Sequence, residues 1–370
     1  MKIQLPLAEH FALLPDPRRS NHNTKKHELL DIIVIAILAT ICGADSWVEI
    51  EQFGHSKEAW LRQFLTLENG IPSHDTFGRV FSILDPAAFE TCFNAWVTRV
   101  RAKRGVVALD GKSVRRAHNP EVRPLHLVNA FCTEEGICVG QRKVDGKTNE
   151  ITAIPELLDL LALDGCIVTT DAMGCQSWIA QKVIYCNADY VLAVKGNQGS
   201  LHTQIQELFA QAKHTKHRAQ THDRAHGREE VRTCMVLPVP ESITNTQKWA
   251  GVRSAVSVTA ERTVKGKKSI ETRYYISSLA CDAVELLRVV RAHWRVENSL
   301  HWSLDIAFRE DESRIRIGHA AENIALVRKL ALNLLRKEMS IKVGIKAKRM
   351  NAAWDNEYLL KVLGVEEWEG

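Results

Sequence analysis

Two short apolar runs, each closed by an aspartate, limit what this chain can become: Val106-Val-Ala-Leu-Asp110 and Cys166-Ile-Val-Thr-Thr-Asp171. A strand with one wet face alternates apolar and polar residues, and these runs do not. Both are therefore expected as central strands of a sheet covered on both faces. An aspartate at the end of such a strand is held rigidly while the loop beyond it opens to solvent. Gly111 and Gly174 follow within three residues of the two acids. Taken singly, an aspartate that ends a strand is more often an ordinary turn former.

The neighbouring pattern extends the sheet. Residues 125–132 and 136–144 alternate around Glu134-Glu-Gly136 and predict a hairpin. Helices are expected over 150–163, 176–186 and 200–212, with a strand at 189–194. The order β, ββ, α, β, α, β, α describes a mixed sheet with flanking helices. It is the order of the ribonuclease-H-like α/β fold. Residues 213–280 interrupt it with strand-like segments at 228–239, 252–264 and 269–279, read as a β-rich insertion with Lys265-Gly-Lys-Lys268 at a hairpin tip.

Residues 1–100 predict an all-helical N-terminal domain, in which Ser73 is a candidate N-cap for the helix after Ile71-Pro72. Helices about that turn could read DNA or could simply pack. The apolar run 29–44 carries Asp31 and falls short of the roughly 18–20 apolar residues of a membrane span. It is expected as a buried helix, and no membrane partner is expected. Nine cysteines without a CxxC pair and no secretory leader predict a reducing, cytoplasmic setting. Long helices resume at 286–308 and 320–339, and residues 341–370 read as a basic tail.

A third acid lies on the penultimate helix. Trp294, Glu297, His301 and Asp305 fall within about 80° of one another at 100° per residue. Acids and a histidine on one stripe are costly in a core unless paired or bound to metal; an exposed Glu297–His301 pair is the plain alternative. Two strand-borne aspartates plus a helix-borne glutamate suit a two-metal site for phosphoryl transfer. No P-loop, HExxH or GxSxG pattern offers another chemistry. The formal charge is only +5, but residues 200–275 hold thirteen Lys and Arg against seven Asp and Glu. Such a stripe suits a polyanion, as does the cluster Arg336, Lys337, Lys342, Lys346, Lys348 and Arg349.

With these residues in view, the chain resembles the DDE transposases of bacterial insertion sequences, especially the H-repeat-associated group. The resemblance rests on Ile71-Pro-Ser-His-Asp-Thr-Phe77, Ala108-Leu-Asp110-Gly-Lys112-Ser, Thr170-Asp171-Ala-Met, Lys195-Gly-Asn197-Gln198, Tyr275-Ile-Ser-Ser278 and His293-Trp-Arg-Val-Glu297-Asn298-x2-His301-Trp302-x2-Asp305. The last of these is long and specific.

By position, the resemblance puts the metal-binding triad on Asp110, Asp171 and Glu297, with Mg²⁺ or Mn²⁺ as cofactor. It implies a catalytic domain over 101–340 with the insertion at about 213–280. It also implies cleavage and strand transfer of double-stranded DNA, element ends and target, by a homodimer or larger assembly. Related enzymes carry Tyr, Arg and Lys at −7, −4 and +7 from the glutamate; here Val290, His293 and Leu304 stand there. The expected DNA contacts are Lys112, Lys195, Asn197, Gln198, Arg291, His293, Arg295 and His301. A DNA-binding remnant that no longer cuts, or a nuclease that does not join, are the alternatives.

Overall fold

The computed structural model describes residues 5–19, 25–101, 104–117, 124–144, 150–212, 215–225, 227–241, 243 and 248–365. Five helices come first: α1 (Pro6–Phe11), α2 (Leu29–Ile41), α3 (Trp47–Leu61), α4 (His74–Ile83) and α5 (Pro86–Val100). Their starts follow from local chemistry. Ser46 and Glu49 form a full capping box on α3, the Ser73 hydroxyl accepts from Thr76 N on α4, and Asp85 with Pro86 opens α5. In α2 every residue except Leu30 is buried. The Asp31 carboxylate within it accepts the Leu67 N–H at 2.9 Å, which removes most of the cost of burying it. Among the described residues no helix is long and apolar enough to cross a membrane. A later helix, α11 (Ala320–Lys337), packs on α2, α4 and α5 and also on the sheet, so the first hundred residues share one hydrophobic cluster with the rest.

Among the described residues, nine strands form one mixed sheet in the order β3-β2-β1-β4-β5-β9-β8-β7-β6. Strands β1 (Val106–Val114), β2 (Leu125–Cys132) and β3 (Ile137–Lys143) make an antiparallel meander. Strand β4 (Ile167–Thr170) lies parallel to β1, and β5 (Asp189–Val194) parallel to β4. Helix α6 (Glu150–Leu160) leads into β4, α7 (Ser177–Tyr185) makes the crossover to β5, and α8 (Gly199–Gln211) follows. The expectation that β1 stops at Asp110 is corrected. Strand β2 stays paired with it through Val114, whereas β4 ends opposite Leu109. Asp110 thus lies where its parallel neighbour runs out, not where its own strand does.

Among its described residues the insertion holds four strands, not three: β6 (Arg218–Ala225), β7 (Arg228–Pro238), β8 (Ser254–Val264) and β9 (Lys267–Ser277). Strand β6 is the sheet's edge and is polar along its length, so it lacks the apolar period that marked the others. Lys265 and Gly266, with φ of +50° and +77°, make the two-residue turn between β8 and β9. Strand β9 pairs antiparallel with β5, so the insertion prolongs the same sheet.

The helix expected over 286–308 is broken into α9 (Ala283–His293), a π-helical turn (Val296–His301) and α10 (Trp302–Phe308). Trp302 N–H reaches Glu297 O, five residues back, which inserts one residue relative to an α-turn. Beyond α11, α12 (Ile345–Trp354) and α13 (Asn356–Val362) order the basic C-terminal segment. Half of its expected phosphate-binding stripe is structural. Lys348 donates to Leu335 O at 2.9 Å, Arg349 donates to Thr40 O at 2.9 Å and stacks on Phe308, and Arg336 donates to Ser299 O at 2.6 Å. These cations close helix ends and crossings, where unpaired carbonyls would otherwise be buried.

Candidate active site

Alternation along β1 turns Val106, Ala108, Asp110 and Lys112 to one face. Helix α9 lies along that face: Val106 shares an apolar cluster with Leu286 and Val290. Further along the row, beyond Ala108, Asp110 meets the π-helical turn and Lys112 meets α10. Across the antiparallel ladder Asp110 is in register with Asn129, and Asn129 with Gln141. On the other side the last β1–β4 pair is Leu109 with Thr170. Asp110 on β1 and Asp171, the first residue after β4, are therefore the next positions along the two chains, just past the last ladder pair.

The loop after β4 is fastened around Asp171. The carboxylate Oδ1 accepts N–H groups from Met173 at 3.0 Å and Gly174 at 3.3 Å. Asn197 donates to Ala172 O at 2.6 Å and Gln198 to Cys175 O at 2.9 Å. These two amides, expected on DNA, brace the Asp171 loop from behind. Lys195 is exposed, and its charge bears on Asp171.

Glu297 is exposed on the π-helical turn. Burial, then the charges of Glu297, Asp171 and Glu150, push the Asp110 carboxyl up to about 7. Burial also raises Asp171, and Glu150 adds to it. Three separate segments thus bring negative charge to bear on Asp110, and a fourth acid, Glu150, had no motif to announce it. Among the described residues no three His, Cys, Asp or Glu side chains already close on one metal-sized point. The donor set nonetheless fits a hard divalent cation: it is all carboxylate oxygen, and its members repel one another until a cation intervenes.

His301 Nδ1 lies 3.5 Å from Asp110 Oδ2 and its Nε2 3.4 Å from Asn129 Nδ2. Burial, followed by the charge of Lys112, lowers its pKa to about 4, so near neutrality the imidazole is uncharged and the contact with Asp110 is not an ion pair. His293 is tied to Thr169 Oγ1 at 2.9 Å, and burial lowers it to about 4 as well. It joins α9 to β4 and does not present itself to a ligand.

Lys112 is likewise turned inward. Its Nζ lies 2.7 Å from Asp305, 3.1 Å from Asp311 and 3.4 Å from Glu310. Burial opposes its charge, but these acids outweigh it and raise the pKa. Glu310 is fully buried; Lys329, Lys112 and Arg328 overcome that burial and hold it ionised. Lys329 in turn donates to Gln141 at 2.8 Å, linking this network to the polar row through Asp110. Glu310, Lys329 and Asn129 escape sequence reading because their partners are remote in the chain.

Of the expected cations, Lys195, Arg291 and Arg295 reach the surface. Arg291 pairs with Asp223 at 2.9 Å. A cleft of about 520 Å³ between β7–β9 and α9 is lined by five arginines, Arg228, Arg232, Arg262, Arg273 and Arg291, with the acids Glu230, Glu271 and Glu297, and by Trp294 and Asn298. Arg273 stacks over Trp294 at 4.4 Å.

A family model described as the transposase DDE domain matches residues 101–334, and the DDE_Tnp_1-associated model matches residues 8–97. YncI of Escherichia coli O157:H7 is 42% identical over 98% of this chain and 95% of its own length. YhhI of Escherichia coli K12 is 39% identical over 96% of this chain and 97% of its own. Both carry provisional names as transposases, and YhhI is H repeat-associated. Among solved structures, a piggyBac transposase synaptic complex with hairpin DNA aligns over 98% of this chain and 77% of that one, at TM-score 0.42 and 11% identity, too distant a likeness to bear weight. With the domain model covering most of the chain and both relatives matched along nearly their whole length, this chain belongs to the DDE transposases, in the H repeat-associated group.

Proposed function

We propose that the chain cuts and joins DNA by two-metal phosphodiester chemistry on a ribonuclease-H-like core, with Asp110, Asp171 and Glu297 as ligands of Mg²⁺ or Mn²⁺. The observation that carries this reading is geometric: Asp110 and Asp171 are the residues next after the last β1–β4 ladder pair, and the π-helical turn that bears Glu297 reaches Asp110 through His301 at 3.5 Å. Bound divalent ions would supply charge neutralisation at phosphorus and a more acidic water.

The chain's own residues do the positioning. Asp110 and Asp171 hold their places through the β1–β4 ladder, the Met173 and Gly174 N–H groups, and the Asn197 and Gln198 braces. Exposed Lys195, Arg291 and Arg295 and the arginine-lined cleft beside Glu297 contribute the cationic surface for the phosphate backbone. A water oxygen bonds to phosphorus as the bond to the bridging 3′ oxygen breaks; the water's proton leaves to solvent and the 3′ oxygen takes one up. The freed 3′-hydroxyl then makes the same displacement on target DNA, expelling a target 3′-hydroxyl. Positioning and neutralisation suffice, without a covalent protein intermediate. Two element ends require at least a homodimer in the working complex, and the setting of the reaction is the cytoplasm.

The test is cleavage of labelled DNA bearing the flanking element ends, with Mg²⁺, Mn²⁺ or EDTA, by wild type and Glu297→Ala. Metal-dependent nicking that is lost in the variant supports the reading. Tight end binding by both proteins without nicking would make the chain a DNA-binding remnant, a fate with precedent in YbfQ of Escherichia coli K12, named as an inactive transposase and 43% identical over 20% of this chain. Nicks without joined product would make it a nuclease.

A further inference from the structure

We propose that Glu150 is a fourth carboxylate of the divalent-cation site, delivered from the opposite face of the sheet and held in place by His126. The inference rests on the reading of Asp110, Asp171 and Glu297 as metal ligands.

Glu150 opens α6, which packs on β2 and β3. Alternation along β1 turns Gly111 and Ser113 toward this helix, away from the face that carries Asp110. Gly111 is what lets the carboxylate in. A Cβ at that position would lie 2.1 Å from Glu150 Oε1 and 2.8 Å from His126 Nε2. Because β4 ends opposite Leu109, the edge of β1 beside Asp110 is uncovered on the Asp171 side. Groups from both faces of the sheet can meet there, and the charge of Glu150 is felt by Asp110 and Asp171 alike.

The carboxylate is oriented, not free. His126 Nε2 lies 2.6 Å from Glu150 Oε1, and His126 Nδ1 lies 2.7 Å from Ser113 Oγ. A hydrogen-bonded partner of this kind is how proteins commonly aim a carboxylate that binds metal. A second observation points to a ligand at the Asp110 side of this site. Asn129, in register with Asp110 on its own face, is fully buried, and its Oδ1 has no hydrogen-bond partner. Buried amide oxygens without a donor are rare, and the water shell of a bound cation would supply one. Charge agrees as well: two divalent ions carry four positive charges, which Asp110, Asp171, Glu297 and Glu150 together match.

The experiment is calorimetric titration of the full chain with Mn²⁺, without DNA, for wild type, Glu150→Gln, Asp171→Asn and the exposed control Glu207→Gln. Glutamine keeps the shape and can still bond His126, so a purely structural Glu150 would pass unchanged. The expected result is a loss of about ten- to hundredfold in Mn²⁺ affinity for Glu150→Gln and Asp171→Asn, and none for Glu207→Gln. Wild-type affinity in Glu150→Gln beside lost affinity in Asp171→Asn overturns this proposal alone. Wild-type affinity in both overturns the metal-site reading itself, and this inference with it. Should Glu150→Gln fail to fold, Glu150→Asp keeps the charge but withdraws it by one methylene; the same loss is expected, and unaltered affinity sinks the idea.

Discussion

His301 Nδ1 lies 3.5 Å from Asp110 Oδ2, an uncharged imidazole set between the aspartate and Asn129. It fixes where the carboxylate can point without neutralising it. His301→Ala should therefore slow nicking about ten- to hundredfold, as loss of a ligand's hydrogen-bonded support does elsewhere. Single-turnover cleavage of a pre-nicked and an intact substrate would measure it. A rate within twofold of wild type would reduce His301 to packing.

Lys112 separates a structural from a DNA-binding role. Its amine compensates buried Glu310 together with Lys329 and Arg328. Lys112→Met should cost about 3–5 kcal/mol in urea unfolding, the usual result of removing one member of a buried ionic group. The slope of log affinity for DNA against log salt should stay as in wild type, since no phosphate contact is lost. A shallower slope with unchanged stability would return Lys112 to the DNA surface.

Gly318 closes the loop before α11 with φ of +52°, and a Cβ there would lie 2.3 Å from the backbone oxygen of Ser82. That oxygen also accepts the His319 N–H at 3.0 Å, so it cannot simply retreat. Left-handed backbone alone costs an L-residue about 1–2 kcal/mol. With the clash added, Gly318→Ala should lose about 2–4 kcal/mol by chemical denaturation. A loss below about 0.5 kcal/mol, the range of ordinary surface substitutions, would show that the loop gives way.

Glu90 on α5 carries the clearest pH signature away from the acids of the site. Burial, only partly offset by Arg142 at 3.3 Å, pushes its carboxyl from 4.5 up to about 7. The folded state thus holds this proton more tightly than the unfolded chain. The stabilisation is complete below about pH 4.5 and is lost as pH rises through 7. Between pH 4.5 and 8 wild type should lose roughly 3 kcal/mol relative to Glu90→Gln, the free energy of holding a carboxyl proton from 4.5 up to about 7. Parallel stability curves for the two proteins would refute it.

Much of the architecture was legible because it is local. Continuous apolar runs marked β1 and β4, alternation marked the β2–β3 hairpin, and one hydroxyl marked the start of α4. What stayed hidden depends on distance in the chain. Strand β6 has no apolar period of its own and exists because β7 offers it a ladder. The π-helical turn cannot be read from a 100° wheel, since its Trp302 N–H to Glu297 O bond adds a residue to the turn. The stripe of Trp294, Glu297, His301 and Asp305 is accordingly split: Trp294 stacks under Arg273, His301 turns to Asp110, and Asp305 meets Lys112. Glu150 and His126 are brought together only by the crossing of α6 over the sheet. Charge misleads in the same way. Lys112, Lys348 and Arg349 look like a polyanion surface in one dimension and are internal fasteners in three.

The junction between β5 and β9 has a mechanical meaning. Ladder pairs run from Val191–Ser277 to Val194–Tyr274, and Ser277 and Ser278 add hydroxyl bonds of 2.7 Å to Tyr190 O and Asp189. The four-stranded arm is thus a cantilever rooted in the sheet, not a flap on a hinge. From its Lys265–Gly266 tip, an unbroken run of ladders through β9 and β5 reaches β4, so the arm is anchored to the strand that leads into Asp171.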